Sequence, residues 1–106
     1  MIKYKVVSDS MSPLISIGDL LEIEEINEQT NLRKFDILVF KLDNKLICHY
    51  FWHENKVISS GEIITKSLKN HEEDLPFKRS DIIGRVTNFK IGPIIKIKLL
   101  FRYFLI

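Results

Sequence analysis

Short runs that mix hydrophobic and polar residues, separated by turn signals, dominate the chain. KYKVV, DLLEIEEI, FDILVFKL and KLICHYFW are rich in β-branched and aromatic residues and have the length of strands. KVISS and EIITKS flank Gly61, and DIIGRVTNFKI follows Pro76. Turn-forming residues lie at positions 27–31, 43–44, 54–55 and 59–61. The pattern predicts a mainly β fold, a small antiparallel β-barrel or sandwich.

The ends of this pattern add one helix and one strand. Residues 11–17 favour a short helix, with Pro13 in its first turn. The C-terminal tail, GPIIKIKLLFRYFLI, alternates at positions 95–99 and predicts a last strand over residues 94–99. The same reasoning leaves residues 100–106 open. In KLICHYFW the alternation places Ile47, His49 and Phe51 on one face, and because both faces are apolar we expect a central strand.

Composition and charge restrict the partners of the domain. The 106 residues, 45% of them hydrophobic and 28% charged, are typical of one globular domain, taken here as residues 1–106. The net charge is +2, and from Lys90 onward there is no acidic residue. Since the basic excess is confined to the tail, the basic stripe of a nucleic-acid-binding protein is missing, and we expect no nucleic-acid partner. Cys48 is the single cysteine, so no internal disulfide forms.

The location of the protein stays open between a membrane-associated and a cytoplasmic one. MIKYKVV lacks the apolar run of a signal peptide, and no stretch reaches the roughly 20 apolar residues of a membrane span. In the tail, residues 94–106, Lys96, Lys98 and Arg102 stand among large apolar residues. Such a segment suits the surface of an anionic membrane or a membrane-anchored partner. The alternative is a hydrophobic end buried against the domain or a second chain.

The segment VSDSMSPLISIGD places three serines within five residues. A serine becomes a nucleophile when a base takes its proton and nearby donors stabilise the oxyanion. Ser10 follows the apolar run KVV and precedes Pro13, a junction that can lift the hydroxyl and its own N–H out of the sheet. Ser8 projects to the same side of an extended chain and is a candidate second oxyanion donor. Helix caps and turns formed by Ser8, Asp9 and Ser12 are the alternative.

SDSMSPLISIGDLLEI resembles the nucleophile segment of signal peptidases, S-G-S-M-x-P followed by G-D and an apolar strand, especially in its endoplasmic-reticulum and archaeal form. RKFDILVFKLDNKLICHYFW resembles that family's G-D-I-V-V-F strand, hairpin and base-bearing strand. IITKSLKNHEEDLPF is similar to its T-K-G-D-N-N…D-D segment, and DIIGRV to the strand that follows. The resemblance covers about residues 6–99. It implies the coiled antiparallel fold shared by LexA-like repressors and signal peptidases, and a serine endopeptidase activity.

The resemblance implies that Ser10 is the nucleophile and His49 the general base, where bacterial signal peptidases and LexA-like repressors carry a lysine. Histidine suits the role because an imidazole is mostly neutral at pH 7 and can accept a proton. A core histidine hydrogen-bonded to a carbonyl is the alternative. The aspartate of the family's T-K-G-D motif falls on Leu68. The acid that orients the His49 imidazole is therefore assigned to Asp74, with the neighbouring Glu73 as the alternative acid. A solvated loop is the alternative for these acids.

Three further residues depart from the family pattern: Asp9 stands for a glycine, Phe35 for the glycine before an aspartate, and Tyr50 for an arginine after the base. These departures leave room for an altered substrate or a lost activity. Only nine residues precede Ser10, so we expect neither the membrane anchor of a signal peptidase nor the DNA-binding domain of a LexA-like repressor.

No cofactor or metal is expected. His53, His71, Cys48 and His49 do not have the spacing of a zinc site, and the glycines form no phosphate-binding loop. The sequence therefore predicts a serine endopeptidase that cleaves an extended peptide or protein segment through a Ser-His acyl-enzyme mechanism. The alternative is a non-catalytic β-barrel module of the same fold that binds a peptide, a partner subunit or a membrane surface.

Overall fold

Six antiparallel strands form one sheet in the computed structural model, which describes residues 2–55, 61–70 and 72–104. The order of the strands across the sheet is β1-β2-β6-β3-β4-β5. A 3₁₀ turn (Arg79–Asp81) precedes the last strand, and a helix, α1 (Pro93–Phe104), follows it. The strands are β1 (Ile2–Lys5), β2 (Leu20–Glu24), β3 (Ile37–Leu42), β4 (Lys45–Asn55), β5 (Glu62–Lys66) and β6 (Ile82–Val86).

The mainly β, antiparallel character predicted from the sequence is confirmed; of the predicted alternatives, barrel or sandwich, a closed barrel is not formed by the described residues. Strands β1 and β5 are the two edges of an open sheet, and no pairing joins them in the part of the chain that the structure describes. Closure depends on the pairing of edge strands, which strand number and spacing do not determine. Strand β6 lies between β2 and β3, so close to β2 that a Cβ atom on Gly84 would overlap Ile23 Cγ2 and the Glu24 carbonyl.

Both faces of the sheet are covered by hydrophobic side chains. Because side chains alternate along a strand, Ile37 and Val39 of β3 lie in one cluster, and Leu38 and Phe40 lie in the other. We call these the first and the second cluster. Strand β4, which lies between β3 and β5, alternates as predicted: Cys48 and Tyr50 belong to the first cluster, and Ile47 and Phe51 to the second. The prediction of a central strand is confirmed.

The helix predicted over residues 11–17 is wrong. These residues form consecutive turns, in which the Ile15 N–H donates to the Met11 carbonyl at 2.9 Å. The chain is tied back soon afterwards, because Val6 is hydrogen-bonded to both Gly18 and Asp19 at 2.9 Å. So few residues between two fixed ends do not offset the cost of helix nucleation. Residues 7–17, hereafter the serine loop, are held at their base by these bonds.

The strand predicted over residues 94–99 is also wrong, since these residues belong to α1. Ile91, Ile95 and Leu99 pack against the first cluster, and their spacing of four residues is helical. Pro93 is the first residue of the helix, a position that suits proline because its missing N–H has no partner there. In the described residues, no helix has both the length and the apolar character needed to cross a membrane.

Some of the predicted turns are present in the structure and one is not. Those at positions 27–31 and 43–44 are confirmed, the second as the two-residue hairpin between β3 and β4. The turn predicted at 54–55 is wrong, because Glu54 and Asn55 still pair with β5. The strand predicted over residues 56–60, most of the turn at 59–61, and His71 lie outside the described residues.

Candidate active site

The serine loop brings the two predicted serine side chains together. Ser8 Oγ lies 3.3 Å from Ser10 Oγ, within hydrogen-bonding distance, so both hydroxyls project to the same side as the sequence predicted. Ser8 is exposed, and Ser10 is half-buried. Gly18 closes the loop at a φ of 94°, a left-handed conformation that glycine adopts without strain. The hydroxyl pair is therefore accessible, on a loop whose base is fixed by main-chain hydrogen bonds.

The structure also brings the predicted base and acid together. His49 Nδ1 lies 2.5 Å from Asp74 Oδ2, with side-chain exposures of 14% and 29%. His49 projects from β4 with its ring against the edge of Phe40, at a centroid distance of 6.1 Å. When the imidazole is neutral and donates its Nδ1–H to Asp74, Nε2 is the nitrogen that can accept a proton. The arrangement suits a general base.

Thr65 is a member of this cluster that sequence reasoning missed. Its hydroxyl donates to Asp74 Oδ2 at 2.7 Å, and its carbonyl accepts from the Asp74 N–H at 2.9 Å. Thr65 is completely buried on β5, opposite Phe51 of β4. The one sequence signal for Thr65 is its place as the first residue of TKSL, the stretch matched to the family's T-K-G-D. We call His49, Asp74 and Thr65 the base half of the site.

The backbone links the base half to the serine loop. The Leu68 N–H donates to the Ser10 carbonyl at 3.1 Å. Leu68 lies three residues after Thr65 in the chain, so the serine loop is bonded to the segment that directly follows strand β5 of the base half. Among the hydrogen bonds of the described residues, none joins Ser10 to His49; the Ser10 hydroxyl contacts Ser8.

Two other residues near His49 or Asp74 in the sequence, Cys48 and Glu73, do not take part in the base half. Glu73, the alternative acid, has its carboxylate 3.6 Å from His53 Nε2, and both side chains are exposed. Cys48 precedes the base in sequence but projects into the first cluster, where burial raises the pKa of its thiol to about 12. The thiol stays protonated near neutral pH and is a poor nucleophile.

Two departures from the family pattern pack against each other. Phe35 has a φ of 78°, the left-handed conformation that favours the glycine of the family motif. Its ring stacks on that of Tyr50, the residue that stands for the arginine, at a centroid distance of 5.6 Å and an interplanar angle of 22°. Aromatic packing thus accompanies the unfavourable backbone conformation. Both rings lie on the sheet face opposite to His49.

The other two departures lie beside Ser10. Asp9, which stands for a glycine, accepts a hydrogen bond from Lys69 Nζ at 2.7 Å. That bond and the positive charge of Lys69 hold the pKa of the Asp9 carboxyl below its usual value. Leu68, which stands for the family aspartate, is half-buried against the first cluster, and its N–H donates to the Ser10 carbonyl. The carboxylate that contacts the His49 imidazole is that of Asp74.

Within the described residues, no group of three or more histidine, cysteine, aspartate or glutamate side chains could hold a metal ion. No family model matches this chain, and no curated protein or solved structure is significantly similar to it. The resemblance to signal peptidases therefore depends on the sequence motifs alone.

Proposed function

We propose that the protein is a serine endopeptidase of the signal-peptidase type, with Ser10 as nucleophile, His49 as general base and Asp74 as the acid that orients the imidazole. The observation that carries the proposal is the contact between His49 and Asp74, whose other partner, Thr65, precedes by three residues the Leu68 N–H that holds the Ser10 carbonyl. A carboxylate on Nδ1 fixes the tautomer that a base needs at Nε2. The finer fold assignment, the LexA and signal-peptidase type, is part of the same proposal.

The first half of the reaction forms an acyl-enzyme. His49 Nε2 takes the proton of Ser10 Oγ as the oxygen attacks the carbonyl carbon of an extended peptide. The negative oxygen of the tetrahedral intermediate accepts hydrogen bonds from the Ser10 N–H and the Ser8 hydroxyl. The imidazolium then gives its proton to the leaving amine, the C–N bond breaks, and an ester to Ser10 remains.

The second half restores the enzyme. His49 deprotonates a water molecule, which attacks the ester, and the proton returns to Ser10 Oγ as the acid product leaves. The contact between Ser8 and Ser10 has to open during the cycle, because Ser8 turns toward the oxyanion and Ser10 toward His49. Hydrogen bonds of this kind commonly shorten and align only when substrate is bound.

A fluorophosphonate probe, which reacts covalently with activated serines, tests the proposal at pH 8. We expect the wild-type chain to be labelled and the variants Ser10→Ala and His49→Ala to remain unlabelled. Ser12→Ala is the matched control, since Ser12 lies in the same loop, and it should be labelled like the wild type. Absence of labelling in correctly folded wild-type protein would contradict the proposal.

A second candidate function is a non-catalytic module that binds a peptide or a partner subunit. The observation that favours it is the Ser10 hydroxyl, whose hydrogen bond in the described structure goes to Ser8 and not to His49. Leu68, in place of the family aspartate, and Asp9, in place of the glycine, favour it as well. An unlabelled wild-type protein that binds peptides equally well with and without Ser10→Ala would support this module over the enzyme.

A further inference from the structure

Helix α1 presents two apolar sides, and only one of them has a partner in the domain. Leu99 is buried in the first cluster and Ile95 packs against it, so these two residues mark the side of the helix that faces the sheet. Helical geometry of about 100° per residue places Ile94, Ile97 and Phe101 on the opposite side. These three side chains are 70%, 53% and 59% exposed.

The exposed side is unusual for a surface helix. Helices at the surface of globular proteins normally carry polar residues on the side that faces away from the core. Here the outward positions are all apolar, and Leu100 extends the same strip with 36% exposure. We call this strip the outer face of α1 (Ile94, Ile97, Leu100 and Phe101). A contiguous exposed strip of large apolar residues indicates a surface that is covered when the protein functions.

Positive charges border the outer face. Lys96 and Lys98 are both exposed, and the helical angles place one on each flank, between the outer face and the side packed on the sheet. Lys90, just before the helix, is also exposed. The sequence contains no aspartate or glutamate after Asp81. The surface that meets this helix must therefore be apolar in the middle and negatively charged at its borders.

We propose that the outer face of α1 inserts into the interfacial region of an anionic lipid bilayer, with the helix axis parallel to the membrane. The apolar strip reaches the acyl boundary, while Lys96 and Lys98 extend outward to the lipid phosphates on the two sides. Attraction to anionic headgroups adds to the burial of the apolar side chains. The proposal concerns α1 alone and holds whether or not Ser10 is a nucleophile.

A second copy of the chain fits this surface less well. Two outer faces packed against each other would bring the flanking lysines of both helices together, and α1 has no acidic residue to pair with them. Like charges at such a seam are destabilising. An anionic bilayer supplies the missing negative charge on both flanks at once.

Helix α1 and the serine loop pack on the same hydrophobic core. Ile15 of the serine loop lies in the first cluster together with Leu99, and Leu14 packs against the same cluster. The helix that binds the bilayer and the serine loop would therefore be joined rigidly through the first cluster. The loop would keep a fixed orientation relative to the membrane.

Co-sedimentation of the full chain with vesicles tests the proposal. We expect binding to vesicles of phosphatidylcholine mixed with phosphatidylglycerol, weaker binding to phosphatidylcholine alone, and a decrease with added salt. Ile97→Ser and Phe101→Ser should each weaken binding about tenfold or more, since each removes a large inserted side chain. Lys96→Gln combined with Lys98→Gln should reduce the salt dependence.

The matched control is Leu75→Ser, which removes an equally large side chain that is 77% exposed and lies outside α1. It should bind vesicles like the wild type, and circular dichroism should show that all variants are folded. Wild-type protein that stays in solution with anionic vesicles would overturn the proposal, as would an equal loss of binding in Leu75→Ser. Failure to bind vesicles together with dimers that dissociate on Phe101→Ser would assign the outer face to a second copy instead.

Discussion

The two halves of the candidate site are built in different ways. The base half stands on two neighbouring strands: His49 is on β4, Thr65 is on β5, and Asp74 is held by both at 2.5 and 2.7 Å through one carboxylate oxygen. The nucleophile half is a loop, in which Ser8 and Ser10 contact each other at a longer 3.3 Å. Strand pairing and burial fix the base half. The serine loop is held by the main-chain hydrogen bonds at its two ends.

The difference indicates where the site is organised before substrate arrives. Buried hydrogen bonds to a charged group stabilise the fold and restrict side-chain rotation together. Substitutions in the base half should therefore change both stability and rate, whereas removal of the Ser10 hydroxyl should change the rate alone. Substitutions in each half of the site test this distinction.

Asp74→Asn should have the largest effect. An amide at this position no longer favours the Nδ1–H tautomer of His49, so the rate of probe labelling should fall by about 10⁴. The free energy of unfolding should also fall, by about 1–3 kcal/mol, because the histidine and threonine lose a charged acceptor. Glu73→Gln is the matched control, since Glu73 contacts His53, and it should leave both values unchanged. A labelling rate equal to wild type in Asp74→Asn would contradict the role of this acid.

Thr65→Val tests the residue that acts through Asp74. Loss of one hydrogen bond to the carboxylate should slow labelling about tenfold to a hundredfold and destabilise the fold by about 1–3 kcal/mol. Thr65→Ser keeps the hydroxyl and should restore most of the rate, while its smaller side chain still costs some stability. If the serine variant regains stability but not rate, Thr65 does not position Asp74. Labelling rates measured against pH, with urea unfolding, separate these outcomes.

Substitutions of Phe35 test whether the backbone is strained on the sheet face opposite to His49. Alanine and glycine both remove the ring that stacks on Tyr50, so both variants should be less stable than the wild type. At a φ of 78°, however, alanine keeps a Cβ that disfavours the left-handed conformation. Phe35→Gly should therefore be more stable than Phe35→Ala by about 1 kcal/mol, the reverse of their usual order within helices and strands. The free energies of unfolding of the two variants, measured in urea, test this order; an alanine variant at least as stable as the glycine variant would contradict it.

The parts of this molecule that could be predicted from sequence are those set by local chemistry. Alternation along β4 was sufficient to assign the faces of Ile47 and Cys48, and the serine spacing was sufficient to place both hydroxyls on one side. The contact between His49 and Asp74 was expected only through the resemblance, because it joins residues that are distant in the chain. Thr65 was missed although it begins the stretch matched to T-K-G-D, because its hydrogen bond to Asp74 joins residues nine apart in the chain and has no local pattern.

The prediction of a strand in place of α1 was wrong for a different reason, because a local pattern was present but fitted both kinds of element. KIKLL alternates over so few residues that strand and helix periods both fit it. Pro93 after Gly92 was the available signal for a helix start. The open sheet, in contrast, had no local signal, because barrel closure depends on contacts between the two edge strands.

The ion pair beside the nucleophile should give the smallest effect. Lys69 donates to the exposed Asp9 carboxylate and lowers its pKa, so the pair stabilises the fold above the unfolded pKa of about 4. That contribution is lost as the pH falls through the lower pKa of the folded state. Lys69→Met should therefore reduce the melting temperature slightly at neutral pH and not at all at low pH. Added salt should shrink the difference, since the pair is exposed to solvent. A large, salt-independent loss would show that the serine loop is fixed as firmly as the base half.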